Sequence, residues 1–79
     1  MKYNRHTIEG ITKLQLEHLI DEYIIGFRAE RNRAIMKRKL IDGITYEELS
    51  YEFDLSVNQV KNIVYNGLRI LTKHIEVRA

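Results

Sequence analysis

Between residues 57 and 62 the chain reads Val-Asn-Gln-Val-Lys-Asn, a run of amide and ammonium side chains interleaved with aliphatics. The amides of Asn58, Gln59 and Asn62 each present a paired donor and acceptor, which matches the N6 and N7 edge of adenine in a DNA major groove. The ammonium of Lys61 can reach the acceptors of guanine, and Val57 suits a thymine methyl. These five residues are the candidate base contacts. Catalytic chemistry has no comparable support. His6, His18 and His74 are scattered, cysteine is absent, and neither a His-Glu-x-x-His pair nor a glycine-rich phosphate loop occurs. Glu47 and Glu48 are adjacent, so on a helix they diverge by about 100° and cannot act as a paired acid and base. No enzyme activity, cofactor or metal site is expected.

Groups of this kind reach base edges only when a helix presents them together, so the surrounding pattern matters. Thr45 with Glu48 three residues on is a capping box. Leu49 and Phe53 share a face of the helix that Thr45 starts. Asp54-Leu55-Ser56 interrupts the pattern, with Leu55 placed to pack a tight corner and Ser56 suited to cap the next helix. Val60, Val64, Leu68, Leu71 and Ile75 then recur at helical spacing over about 57–75. A short helix, a three-residue turn and a longer helix is the plan of a helix-turn-helix. Gly67 costs such a helix about 1 kcal/mol relative to alanine, which a close helix crossing would offset. Arg69 and Lys73 share a face near its C-terminal end, and His74 is expected to be exposed.

Upstream, Thr12 and Gln15 can form another capping box. Leu16, Leu19, Ile20, Tyr23, Ile24 and Phe27 then line a broad apolar face. A face so wide should be buried, either closing the domain's own core or against a second subunit. Gly26 marks the end of this helix. A second helix over 28–41 takes its apolar side from Ala34, Ile35, Met36, Leu40 and Ile41, and Asp42-Gly43 ends it. His18 reads as a surface residue. Residues 1–11 are polar and irregular and read as an N-terminal arm; 12–79 form the domain. The expected class is all-α, a small four-helix domain containing a helix-turn-helix.

A chain of 79 residues supports one modest core. With no cysteine and no proline, that core depends on helix packing. No apolar run is long enough for a bilayer, because Leu19-Ile20 meets Asp21-Glu22. The N-terminus has no apolar signal core, so a cytoplasmic location and no membrane partner are expected. The net charge of +2 hides a strong unevenness. Residues 28–41 carry six cations and one anion, a balance of +5, while 42–56 carry five anions, a balance of −5. Residues 57–79 carry four cations and one anion, a balance of +3. Basic surface flanking a helix-turn-helix is the electrostatic footprint of nucleic-acid binding.

The stretch from Asp42 to Leu71 resembles region four of bacterial sigma factors, both primary and extracytoplasmic-function types, and more loosely the LuxR-type DNA-binding domain. Gly43, Thr45, Glu47, Glu48, Leu49, Phe53, Leu55, Ser56, Val60, Ile63, Leu68 and Leu71 stand at matching positions. The likeness covers roughly 31–75. It is closer to the stand-alone modules of phage and mobile-element proteins of Gram-positive bacteria than to a complete sigma factor, whose promoter-melting domain would not fit in this length. The resemblance implies that the second helix braces the helix-turn-helix. It also implies that the start of the third helix abuts the DNA backbone, which makes Thr45 and Tyr46 phosphate contacts. Ser56, Arg38, Lys39 and Arg69 complete the expected phosphate set. The family's reading positions hold arginines and a glutamate; here they hold Val57, Asn58, Gln59 and Lys61, which predicts a different target, richer in A·T pairs.

The expected function is therefore a sequence-specific transcription regulator whose recognition helix, about 57–75, enters the major groove of double-stranded DNA. The alternative is a protein-interaction module with a sigma-like fold that binds RNA polymerase or another protein through the apolar face of residues 14–27 without reading DNA. A single module buries only about 600–1,000 Å² on DNA, so a homodimer or help from RNA polymerase is expected.

Overall fold

Thr12, Thr45 and Ser56 each open a helix in the computed structural model, which describes residues 11–78 and the side chains of 11–75. The helices are α1 (Lys13–Tyr23), α2 (Ala29–Leu40), α3 (Tyr46–Phe53) and α4 (Val57–Arg78). The described residues contain no strand, so the fold is all-α, as the aliphatic spacing predicts. Both expected capping boxes form. The Thr12 hydroxyl accepts from the Gln15 N–H (3.2 Å) and the Gln15 amide oxygen from the Thr12 N–H (3.1 Å). The Thr45 hydroxyl accepts from the Glu48 N–H (3.1 Å), and Glu48 reaches back to the Thr45 N–H (3.4 Å). Each box satisfies two helix-end donors that would otherwise lack partners.

One core joins the four helices. Leu16, Ile20 and Ile24 enter it from α1 and its C-terminal cap, Ile35 and Met36 from α2, Leu49 from α3, and Val60, Val64, Leu68 and Leu71 from α4. Helix α4 packs on α2 and α3, and α1 lies against α2 and α4. A Cβ at Gly67 would stand 2.5 Å from the Met36 sulfur, so α4 lies directly against the Met36 side chain of α2 here and a larger residue would require that side chain to shift. Thr72 is fully buried, and its hydroxyl donates to the Leu68 carbonyl (2.8 Å), which removes the desolvation penalty.

Two expectations change. Helix α1 ends at Tyr23, short of Phe27: Ile24 is extended, Gly26 has φ +97° and Arg28 is left-handed at φ 59°. That sharp reversal takes Phe27 off the helical stripe and leaves it 88% exposed. The rest of the broad face closes the protein's own core. His74 is half-buried, because its ring stacks on Tyr23 of α1 with centroids 3.6 Å apart. The expected arm of residues 1–11 lies outside the described residues except for Ile11, which packs against the core.

Candidate nucleic-acid interface

The corner between α3 and α4 sets how α4 is turned. Asp54 adopts the left-handed conformation (φ 57°), which short polar side chains tolerate. The Leu55 N–H then returns to the Ser50 carbonyl (3.0 Å), and Leu55 packs against the core. A third capping box comes next. The Ser56 hydroxyl accepts from the Gln59 N–H (3.0 Å), and the Gln59 amide oxygen accepts from the Ser56 N–H (2.8 Å). With Val60, Val64, Leu68 and Leu71 fixed inward, the opposite side of α4 presents Asn58, Asn62, Tyr65, Asn66, Arg69 and Lys73 to solvent.

The expected base contacts divide within this arrangement. Asn58 and Asn62 lie one turn apart on the outward face, and neither amide has a hydrogen-bond partner among the described residues. Gln59 is exposed, but its side chain folds back onto the cap, where its oxygen accepts from the Ser56 N–H with one of its two lone pairs. Val57 is half-buried. Lys61 is also half-buried, with its ammonium 5.7 Å from the centre of the Tyr46 ring. Asn66 completes the outward row, although only its one-turn spacing from Asn62 marks it in the sequence. Tyr65 stands on the same side, 53% exposed, with its ring edge-on to Tyr46 at 6.3 Å.

The expected phosphate contacts divide as well. Lys39 lies over the Tyr46 ring at 4.1 Å and donates to the Ile44 carbonyl (3.1 Å). Tyr46 thus sits between two cations, Lys39 and Lys61, at the start of α3. Thr45 lies beside this cluster, its hydroxyl oxygen holding the cap while its hydrogen remains a donor. Ser56 plays the same part at the start of α4. Arg38 has a different role. Its Nε and Nη2 form a fork on the Glu52 carboxylate at 3.0 and 2.9 Å, and its Nη1 meets Asp42 at 3.3 Å. The Glu52 hydrogen bonds, and then the Asp42 one, raise its pKa above the ordinary guanidinium value. A guanidinium shared between two carboxylates is a brace from α2 to α3, poorly placed to attract phosphate.

Most of the +5 run of residues 28–41 is tied to the protein as well. Arg33 donates to the Ile24 carbonyl at 2.8 Å and caps the end of α1. Lys37 pairs with Asp21 at 2.8 Å, a hydrogen bond that holds the Asp21 carboxyl below the usual aspartate range. In α4, by contrast, Arg69 and Lys73 are exposed, and Lys61, Arg69 and Lys73 have no carboxylate partner among the described residues. Among the described residues no helix is long and apolar enough to cross a membrane. No protein-family model, curated protein or solved structure matches this chain.

Proposed function

We propose that this protein is a cytoplasmic, sequence-specific transcription regulator that binds double-stranded DNA. In this reading α3, its three-residue turn and α4 act as a helix-turn-helix of the sigma region-four kind, with α4 in the major groove. The observation that carries the reading is the outward side of α4. Asn58, Asn62, Asn66, Arg69 and Lys73 are all exposed there, and no acidic side chain interrupts them through residue 75. Base-reading amides lie toward the N-terminal half and cations toward the C-terminal half. Lys39 and Lys61, both near the Tyr46 ring, make a second positive point at the start of α3, where in this reading a phosphate of the flanking strand would sit. Pairing with a second copy or contact with RNA polymerase would add the area that one module lacks.

The test is a fluorescence-anisotropy titration of the purified protein against random-sequence duplexes at several salt concentrations. Binding that weakens linearly in log salt establishes phosphate contacts, at about 0.9 of slope per phosphate neutralised. No binding at low salt eliminates a stand-alone DNA-binding role. One observation favours a second reading. Leu16, Ile20 and Ile24 are internal, so a protein partner could use only what residues 14–27 leave outside. That remainder is Leu14 with Ile25 and Phe27, the last two 73% and 88% exposed at the turn after α1.

A further inference from the structure

Asn58, Asn62 and Asn66 stand at successive turns of α4, all exposed and none hydrogen-bonded among the described residues. We infer that they form a row that reads adenines, and that the target of this protein is a short duplex with adenines about two base pairs apart. The inference rests on the DNA-binding reading and specifies its target. Four residues of helix advance about 6 Å, close to two base-pair steps of about 3.4 Å each. Three amides so spaced cover about 12 Å, a window of about four to five base pairs.

The chemistry of that window points to adenine by what else it holds. Reading guanine takes an arginine or lysine, and reading cytosine takes a carboxylate. Among the side chains from Asn58 to Asn66 there is no carboxylate. The one cation, Lys61, is half-buried with its ammonium 5.7 Å from the centre of the Tyr46 ring. The only other amide, Gln59, folds back onto the Ser56 cap. What remains are three short amides, each able to donate to N7 and accept from N6 of adenine. They belong to a helix that fits the DNA major groove, whereas the deep, narrow major groove of duplex RNA would exclude it.

The experiment is selection of binding sites from a random duplex pool with the full chain, followed by titrations of the selected site. Wild-type protein should enrich sites with adenines at alternating positions. Asn58→Ala, Asn62→Ala and Asn66→Ala should each relax the preference at one position, lowering affinity for the parent site about 5- to 150-fold. Replacing the matching adenine by 7-deazaadenine, which removes N7 and keeps base pairing, should cost the wild type a comparable factor. It should cost the corresponding alanine variant nothing further, as a double-mutant cycle requires. These positions are exposed and helical, so alanine leaves the fold intact. Strong duplex binding with selected sites rich in G·C, or with no loss on 7-deazaadenine, would overturn the adenine row while leaving DNA binding in place. Equal competition by duplex RNA would overturn it as well. Failure to bind any duplex would sink both readings together.

Discussion

In α2 four of the five cations turn their charged heads back toward the protein. Arg33 reaches a carbonyl of α1's cap, Lys37 an aspartate of α1, Arg38 a glutamate of α3, and Lys39 the carbonyl of Ile44. In α4, Arg69 and Lys73 point away from it, and Lys61 rests near an aromatic ring with no acid beside it. Counted as charge, α2 is the more basic helix; counted as charge available to a phosphate, α4 is. A local excess of lysine and arginine therefore marks a ligand surface only after internal acceptors have been subtracted. The acidic α3 contributes one of those acceptors.

The contrast depends on how the two helices cross, and the largest expected effect lies there. Met36 is fully buried against Gly67. Met36→Ala should cost about 2–5 kcal/mol in denaturant unfolding. Gly67→Ala adds about 1 kcal/mol of helix propensity, but it forces a methyl into the sulfur at an overpacking cost of about 1–3 kcal/mol, so it should destabilise. In the Met36→Ala background the same change should stabilise, because the space has been opened. Stabilisation in both backgrounds would show that Met36 does not press on position 67, because only the helix propensity of alanine would then be felt.

Removing the outward cations comes next. Lys61→Ala, Arg69→Ala and Lys73→Ala together should reduce the salt slope of duplex binding by about 0.9 for each phosphate no longer neutralised. The melting temperature should stay nearly unchanged. Arg38→Ala is the mirror experiment: it leaves Glu52 and Asp42 facing each other without a cation. It should lower the melting temperature modestly and leave the salt slope as it was. A fallen slope in Arg38→Ala, at unchanged stability, would return Arg38 to the phosphate set.

The smallest effect is the Asp21–Lys37 pair on the surface. Hydrogen bonding to Lys37 lowers the folded pKa of Asp21, so the pair's stabilisation is complete above the unfolded value of about 3.9 and disappears as pH falls through the lower folded value. The difference in melting temperature between wild type and Asp21→Asn should therefore close between about pH 5 and pH 2. A difference that persists at the acid end would mean the pair contributes nothing through its charge. Exposure keeps the effect small in any case.

Much of this architecture was legible because its signals are local. Thr12 with Gln15, Thr45 with Glu48, and glycine at position 43 (φ +73°) each announce an element boundary within a few residues. Gly67 announced a close contact by being costly otherwise. Ser56 and Gln59 carry the same spacing as the other two boxes, and that spacing, applied to them, tells that the Gln59 oxygen faces the cap. The fates of Arg38 and His74 were not legible, because Glu52 and Tyr23 lie far along the chain and only the packed fold brings them near. Phe27 misled for a similar reason: its periodicity is good, but Gly26 and the left-handed Arg28 break the helix before the stripe reaches it.

The stacking of Tyr23 on His74 has a kinetic meaning. It ties the first described helix to the far end of the last one, across the longest loop of any ring contact among the described residues. Closing so long a loop carries more entropy loss than closing the corner between α3 and α4, so the stack should form late in folding and open early in the native state. Amide hydrogens of α1 and of the last turns of α4 should then exchange together and sooner than those around Val60 and Leu49. The half of the molecule that carries the asparagine row would keep its shape through such openings.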